Sequence, residues 1–153
     1  MELAGPDSFE LVFDHEKFQV RPDSGLGQFT PRACSKIPKL YVVAAADQLI
    51  YVGVTKQPIR NRLRLGWQAK GETGYYGYAW RHALTSATLH VWYHENAKDR
   101  SSRDVETVEA EVAFLVRTAG QWPLHQTEIH FYPSSEIHRT HAKRIFEFVA
   151  RPG

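Results

Sequence analysis

Two apolar runs, LYVVAA at 40–45 and LIYVGV at 49–54, constrain this chain more than any other feature. Both are rich in the β-branched and aromatic residues that fit a pleated strand. Asp47-Gln48 separates them at hairpin spacing, so they predict two adjacent antiparallel strands. Neither run alternates with polar residues. A strand that is apolar on both faces has to be covered on both faces. The rest of the chain must therefore supply two layers, one on each side of a sheet.

Candidates for those layers follow in order. Pro58 suits the first turn of a helix, with Thr55 or Gln57 near its cap. Ile59, Leu63 and Trp67 then recur at helical spacing, and AWRHAL (79–84) predicts a short helix. TLHVWYH (88–94) alternates and reads as a third strand. Ser101 and Asp104 form a capping-box pattern. The helix behind them carries Val105, Val108, Val112, Leu115 and Val116 on one stripe, and Gly120 and Pro123 end it. TEIHFY (127–132) is a further strand or an extended connector. Ser134 caps a last helix bearing Ile137, Ile145, Phe148 and Val149.

The expected class is α/β or α+β: a small central, mainly antiparallel three-stranded sheet flanked by helices. Ahead of it, FELVFDHEKFQV (9–20) reads as a strand or a hairpin around Asp14-His15-Glu16, and 21–38 as a Pro/Gly/Ser-rich connector. The expected organisation is an amino-terminal extension at 1–38 and a core at 39–153.

Composition narrows the function class. The single cysteine, Cys34, excludes an internal disulfide framework and a four-cysteine zinc site. No apolar run approaches the roughly 18–20 residues of a membrane span. The start, MELAGPDSFELVF, lacks a basic stretch leading into an apolar one, so the expected location is the cytoplasm. A net charge of +2 is too small to argue nucleic-acid binding by itself. The placement of charge says more. Arg60, Arg62 and Arg64 arrive just past a buried strand, and helix geometry does not select one of them. Arg139, Lys143 and Arg144 give the last helix a basic face suited to a phosphate backbone. His138 and His141 on that helix, with no further ligands nearby, read as a solvated face. The aromatic stretch GYYGYAW (74–80) reads equally as a base-stacking loop or a half-buried one.

Tyr41 in LYV and Tyr51-Val52-Gly53, ten residues apart, resemble the two halves of the GIY-YIG nuclease signature. An arginine on the next helix and a glutamate on a later helix extend the resemblance over roughly residues 39–131. It implies a phosphodiester hydrolase that uses Mg²⁺ or Mn²⁺. Glu111, in EVAFL, would be the single metal ligand, since it resembles the family's glutamate with apolar residues three and four positions on. Glu109, on the opposite flank of the same apolar stripe, is the alternative. Arg62 would contact the scissile phosphate, Tyr41 would be the general base or orient the water, and Tyr51 would line the same site. Lys56, Arg60 and Arg64 would add contacts to the nucleic acid.

Three departures from the family pattern are visible. Lys39 stands where the signature's first glycine would be, which would put a cation beside the site. Leu65, Gly66 and Trp67 occupy the positions where a histidine often follows the arginine, so His82 would have to return from the next segment. PLHQ (123–126) replaces an asparagine, with Gln126 offering the same amide donors and acceptor over His125.

The chemistry asks for such groups. Attack on a phosphodiester places extra negative charge on phosphorus, and fixed positive groups must meet it as it develops. Arginine's planar fork matches phosphate oxygens. Mg²⁺ keeps several waters and takes only one or two carboxylates, so one glutamate suffices. The expected substrate is DNA, with RNA as a further possibility. A monomer would nick, whereas cutting both strands needs a homodimer or two events. The competing expectation is a nucleic-acid-binding module that keeps the fold without the chemistry.

Overall fold

The structure is a computed structural model, and it describes residues 2–46, 48–71, 77–95, 101–119 and 133–149. The two apolar runs form β3 (Lys39–Ala45) and β4 (Gln48–Thr55), paired antiparallel with Tyr41 opposite Gly53 and Val43 opposite Tyr51. The third expected strand, β5 (Ser86–His94), lies on the other side of β3. β3 is thus the middle strand of the unit that the sequence predicts. Leu40, Tyr41, Val42 and Val43 are fully buried, as a strand apolar on both faces requires.

The sheet is wider than three strands. β1 (Leu3–Phe13) pairs antiparallel with the far edge of β5, and β2 (Phe18–Gly25) pairs with β1, giving the order β2-β1-β5-β3-β4. The physical reason lies in β5. Its side chains are buried on both faces, so its outer backbone donors and acceptors cannot be left to water and need a strand partner. The hairpin around Asp14-His15-Glu16 supplies that partner. Pro22 sits in β2, the edge strand, where a missing backbone donor costs least.

Two layers cover the sheet. On one face lie α1 (Ile59–Gln68), the short α2 (Trp80–Ala83) and the connector carrying Phe29 and Ala33. Ile59, Leu63 and Trp67 of α1 are buried there, as their spacing predicts. Phe9, Leu11 and Phe13 of β1 join the same cluster, so the amino-terminal segment shares this core. On the other face lie α3 (Ser101–Thr118), mainly over β4, and α4 (Glu136–Val149) beside it. Val108, Val112 and Val116 meet Ala142, Ile145 and Val149 over Leu40, Val42 and Val52.

The helices show three further details. The carboxylate of Asp104 bonds the ring nitrogens of His94 and His138. In α4, Ile137 and Phe148 are exposed at 50% and 42%, while His141 is buried. The expected end of α3 at Gly120-Pro123 and the segment 127–132 lie outside the described residues. No helix among the described residues is long and apolar enough to cross a membrane.

One polar hub fastens the amino-terminal layer to β5. Arg32 donates to both carboxylate oxygens of Asp7, from Nε at 3.1 Å and Nη2 at 2.9 Å. Thr30 and the Tyr93 hydroxyl donate to the same carboxylate at 2.7 Å and 2.9 Å. The guanidinium of Arg32 lies 4.5 Å over the Tyr93 ring. The Arg32 bond holds the Asp7 carboxyl below the usual carboxylate range. Its stabilisation is complete above about pH 4 and is lost as pH falls through the lowered folded value. Asp7→Ala leaves Arg32 and Tyr93 without their shared acceptor and should destabilise the fold by about 2–3 kcal/mol. Urea unfolding at pH 7 and pH 3 checks this, because the gap between wild type and variant must narrow in acid.

Candidate functional site

Tyr41 and Tyr51 project onto the α1 face of the sheet, with ring centroids 5.9 Å apart. Gly53 makes their approach possible. A Cβ at that position would stand 2.6 Å from the Tyr41 hydroxyl and 2.8 Å from the Tyr51 ring. The glycine of Tyr-Val-Gly therefore clears space for two phenols.

Above these rings runs α1. Arg62 is half-buried, and its guanidinium carbon stands 5.0 Å from the centroid of a third ring, Tyr78. That ring packs against Gly66, where any side chain would overlap it. The backbone around it is tied down: the Tyr78 amide donates to Gly66 O at 3.1 Å, and Arg81 Nη1 donates to the same carbonyl. The hydroxyls of Tyr41 and Tyr78 lie 2.7 Å apart. The Tyr51 ring meets Tyr78 edge-on at 5.3 Å. Tyr41, Tyr51 and Arg62, expected together from the sequence, thus meet around a phenol that the sequence reading did not assign. Gly66 carried the signal, because a glycine inside a helix marks a close approach. Tyr78, and not His82, fills the space beside the arginine helix. Tyr78 and Trp80 are buried, so neither is a base-stacking group.

The acidic partner sits on the other layer. Glu111 is half-buried and Glu109 is buried, both on α3. Asp104, seven residues before Glu111, lies on nearly the same flank of the helix. That flank faces His94 of β5 and His138 of α4. Glu109 lies on the opposite flank of the helix. The apolar pattern after the glutamate also distinguishes them. Phe114, three residues past Glu111, is 60% exposed and Leu115, four past, packs against the core, while Val112 and Ala113, three and four past Glu109, are buried. Among the described residues no three His, Cys, Asp or Glu side chains gather as a metal cluster. A divalent ion here would have a single carboxylate from α3 and would fill its shell with water and phosphate oxygens. Gln126 lies outside the described residues.

The basic residues divide. Lys56, Arg60 and Arg64 are exposed around α1, and Arg60 also lies 4.9 Å over the Phe29 ring. His82 is exposed in a groove of about 650 Å³ that it shares with His15, Lys70 and Arg81. Its Nε2 accepts from Arg81 Nε at 3.1 Å. Arg139 and Lys143 are exposed on α4, across the sheet from α1. One flat contact cannot use both sets. His138 and His141 are not a solvated face, since His138 is held by Asp104 at 2.9 Å and His141 is buried.

Lys39 corrects an expectation. It is fully buried, and its Nζ donates to the carbonyls of Ser35, Ile37 and Gln57 at 2.5, 2.8 and 3.0 Å. Three acceptors match the three hydrogens of an ammonium. The lysine thus stitches the connector and the approach to α1 onto β3, and its charge is not offered to phosphate. Burial brings its pKa from 10.5 down to about 8. Between those values the unfolded chain binds more protons than the folded one, so stability must climb with pH, by about 3 kcal/mol at most. Burial raises the Tyr93 hydroxyl, which reverses the trend above about pH 10. Urea unfolding at pH 7.5, 8.5 and 9.5 should show the climb in wild type and its absence in Lys39→Met.

Comparison with known proteins finds no family model, no curated protein and no solved structure that matches the chain.

Proposed function

We propose that the protein is a divalent-metal-dependent endonuclease of the GIY-YIG type that hydrolyses DNA phosphodiester bonds. One observation carries the reading: the Tyr41, Tyr51 and Tyr78 rings are packed together beneath the guanidinium of Arg62, in the space that Gly53 and Gly66 leave open. A core needing only apolar filling has no use for three phenols and a half-buried cation in contact.

In this reading Arg62 holds a non-bridging phosphate oxygen and meets charge as it develops. Tyr41 first releases its proton to solvent; the oxygen of an attacking water then bonds to phosphorus, the bond to the leaving oxygen breaks, and the Tyr41 phenolate takes the water's proton. The leaving oxygen is protonated from solvent. Tyr51 limits how the phosphate sits. A carboxylate of α3 would hold a divalent ion, which when bound would supply Lewis-acid polarisation. We assign its carboxylate to Glu109, on burial and flank, in place of Glu111. Lys56, Arg60 and Arg64, exposed around α1, add further contacts to the nucleic acid. Mg²⁺ or Mn²⁺ fits a hard oxygen site of this kind.

Full burial of Tyr41 favours a second reading, a DNA-binding module without chemistry. Supercoiled plasmid incubated with and without Mg²⁺ or Mn²⁺ separates the two. Nicking that requires the ion is the expected result. Arg62→Ala should slow it about 100- to 1000-fold, and Tyr41→Phe about 100-fold or more. Glu109→Gln should abolish ion-dependent cleavage while a gel shift persists, and Glu111→Gln should remain near wild type. Binding without cleavage in either ion would leave only the second reading.

A further inference from the structure

We infer that Tyr78 is the positioning residue of Tyr41: the two hydroxyls form one proton-sharing pair in which Tyr78 donates to the Tyr41 oxygen once Tyr41 has lost its proton. The part this plays in cleavage rests on the endonuclease reading above.

Burial and distance support the pairing. Tyr41 is fully buried, so water cannot solvate a phenolate there. The Tyr78 hydroxyl lies 2.7 Å away and can act as donor or acceptor. When both groups are neutral this is an ordinary hydrogen bond. When Tyr41 is ionised, its oxygen only accepts, and the bond becomes charge-assisted and roughly twice as strong. The Tyr78 ring also lies under Arg62, so one side chain touches both groups. Its own position is over-determined by Gly66, by the amide bond to Gly66 O, and by Trp80 stacked at 4.9 Å. Among the described residues, the other titratable or charged groups on the elements packed around the pair are Arg62 of α1, Tyr51 of β4, Lys39 of β3, Tyr93 of β5 and Arg81 of α2. Lys39 and Tyr93 are engaged by carbonyls and by Asp7, and Arg81 by Gly66 O. Arg62, 5.0 Å from the Tyr78 ring centroid, is a cation that favours the ionised pair.

Tyr78→Phe removes the hydroxyl and keeps the ring under Arg62. In metal-free protein labelled with ¹³C at tyrosine Cζ, the Tyr41 signal is identified by its loss in Tyr41→Phe. Its titration should move about one unit to higher pH in Tyr78→Phe, a unit being a tenfold change in ionised fraction. Cleavage should fall about tenfold at pH 7.5, with its pH profile displaced alkaline by the same unit and KM for DNA unchanged. Tyr78→Leu should additionally raise KM, because Arg62 loses its support. A Tyr41 titration identical in wild type and Tyr78→Phe overturns the inference whatever the plasmid assay gives. A displaced titration in a protein that cuts no DNA keeps the pair and ends the endonuclease reading. Thermal melts of each variant separate a lost hydroxyl from a lost fold.

Discussion

A strand without exposure on either face sets the terms for everything around it. β3 carries apolar side chains to both layers, so helices must be recruited on each side and strands on each edge. Any polar group it carries then has to find its partner inside the protein, because water cannot reach it. Lys39 and Tyr41 are those groups. The lysine spends its three hydrogens on carbonyls of the segments leading into β3 and α1. The tyrosine spends its hydroxyl on Tyr78. Two neighbouring positions of one buried strand thus produce a structural clasp and the centre of the candidate site.

The site is a consequence of missing side chains as much as of present ones. Gly53 makes room beneath, Gly66 makes room above, and a tyrosine ring enters the space between. The energetic weight falls on dispersion and on aromatic edges at centroid distances of 4.9–5.9 Å. Such packing holds polar tips at fixed separations, which is what preorganisation demands of a site handling phosphate charge. The carboxylate comes from a layer with its own core, tied to the sheet through Val108, Val112 and Val116. The phenols and the carboxylate therefore belong to different layers.

Much of this was legible residue by residue. The hairpin of β3 and β4 follows from two unbroken apolar runs, and the inward face of α1 from Ile59, Leu63 and Trp67. The stripe of α3 shows in its valines. What did not show depends on partners remote in sequence. That β1 closes the far edge of β5 requires knowing that β5 is buried on both faces, which its alternating pattern does not announce. The choice between Glu109 and Glu111 depends on which flank α4 occupies, and helical periodicity treats the flanks as equal. Tyr78 did not show: a glycine inside a helix can mark a close approach, but it does not name what approaches. Lys39 was misread because a cation before a strand usually reaches solvent.

The amino-terminal hairpin has a consequence for any shortened form of the protein. Trp67 of α1 donates its indole hydrogen to Asp14 O at 2.9 Å, within the turn of that hairpin. Phe9, Leu11 and Phe13 fill the floor on which Trp67 and Trp80 stand. A polypeptide trimmed to begin near position 39 would keep every residue of the tyrosine signature. It would also uncover a greasy trough and a raw strand margin beside it, the combination that drives chains to stick to one another. The smallest piece with the signature is thus not the smallest piece that folds.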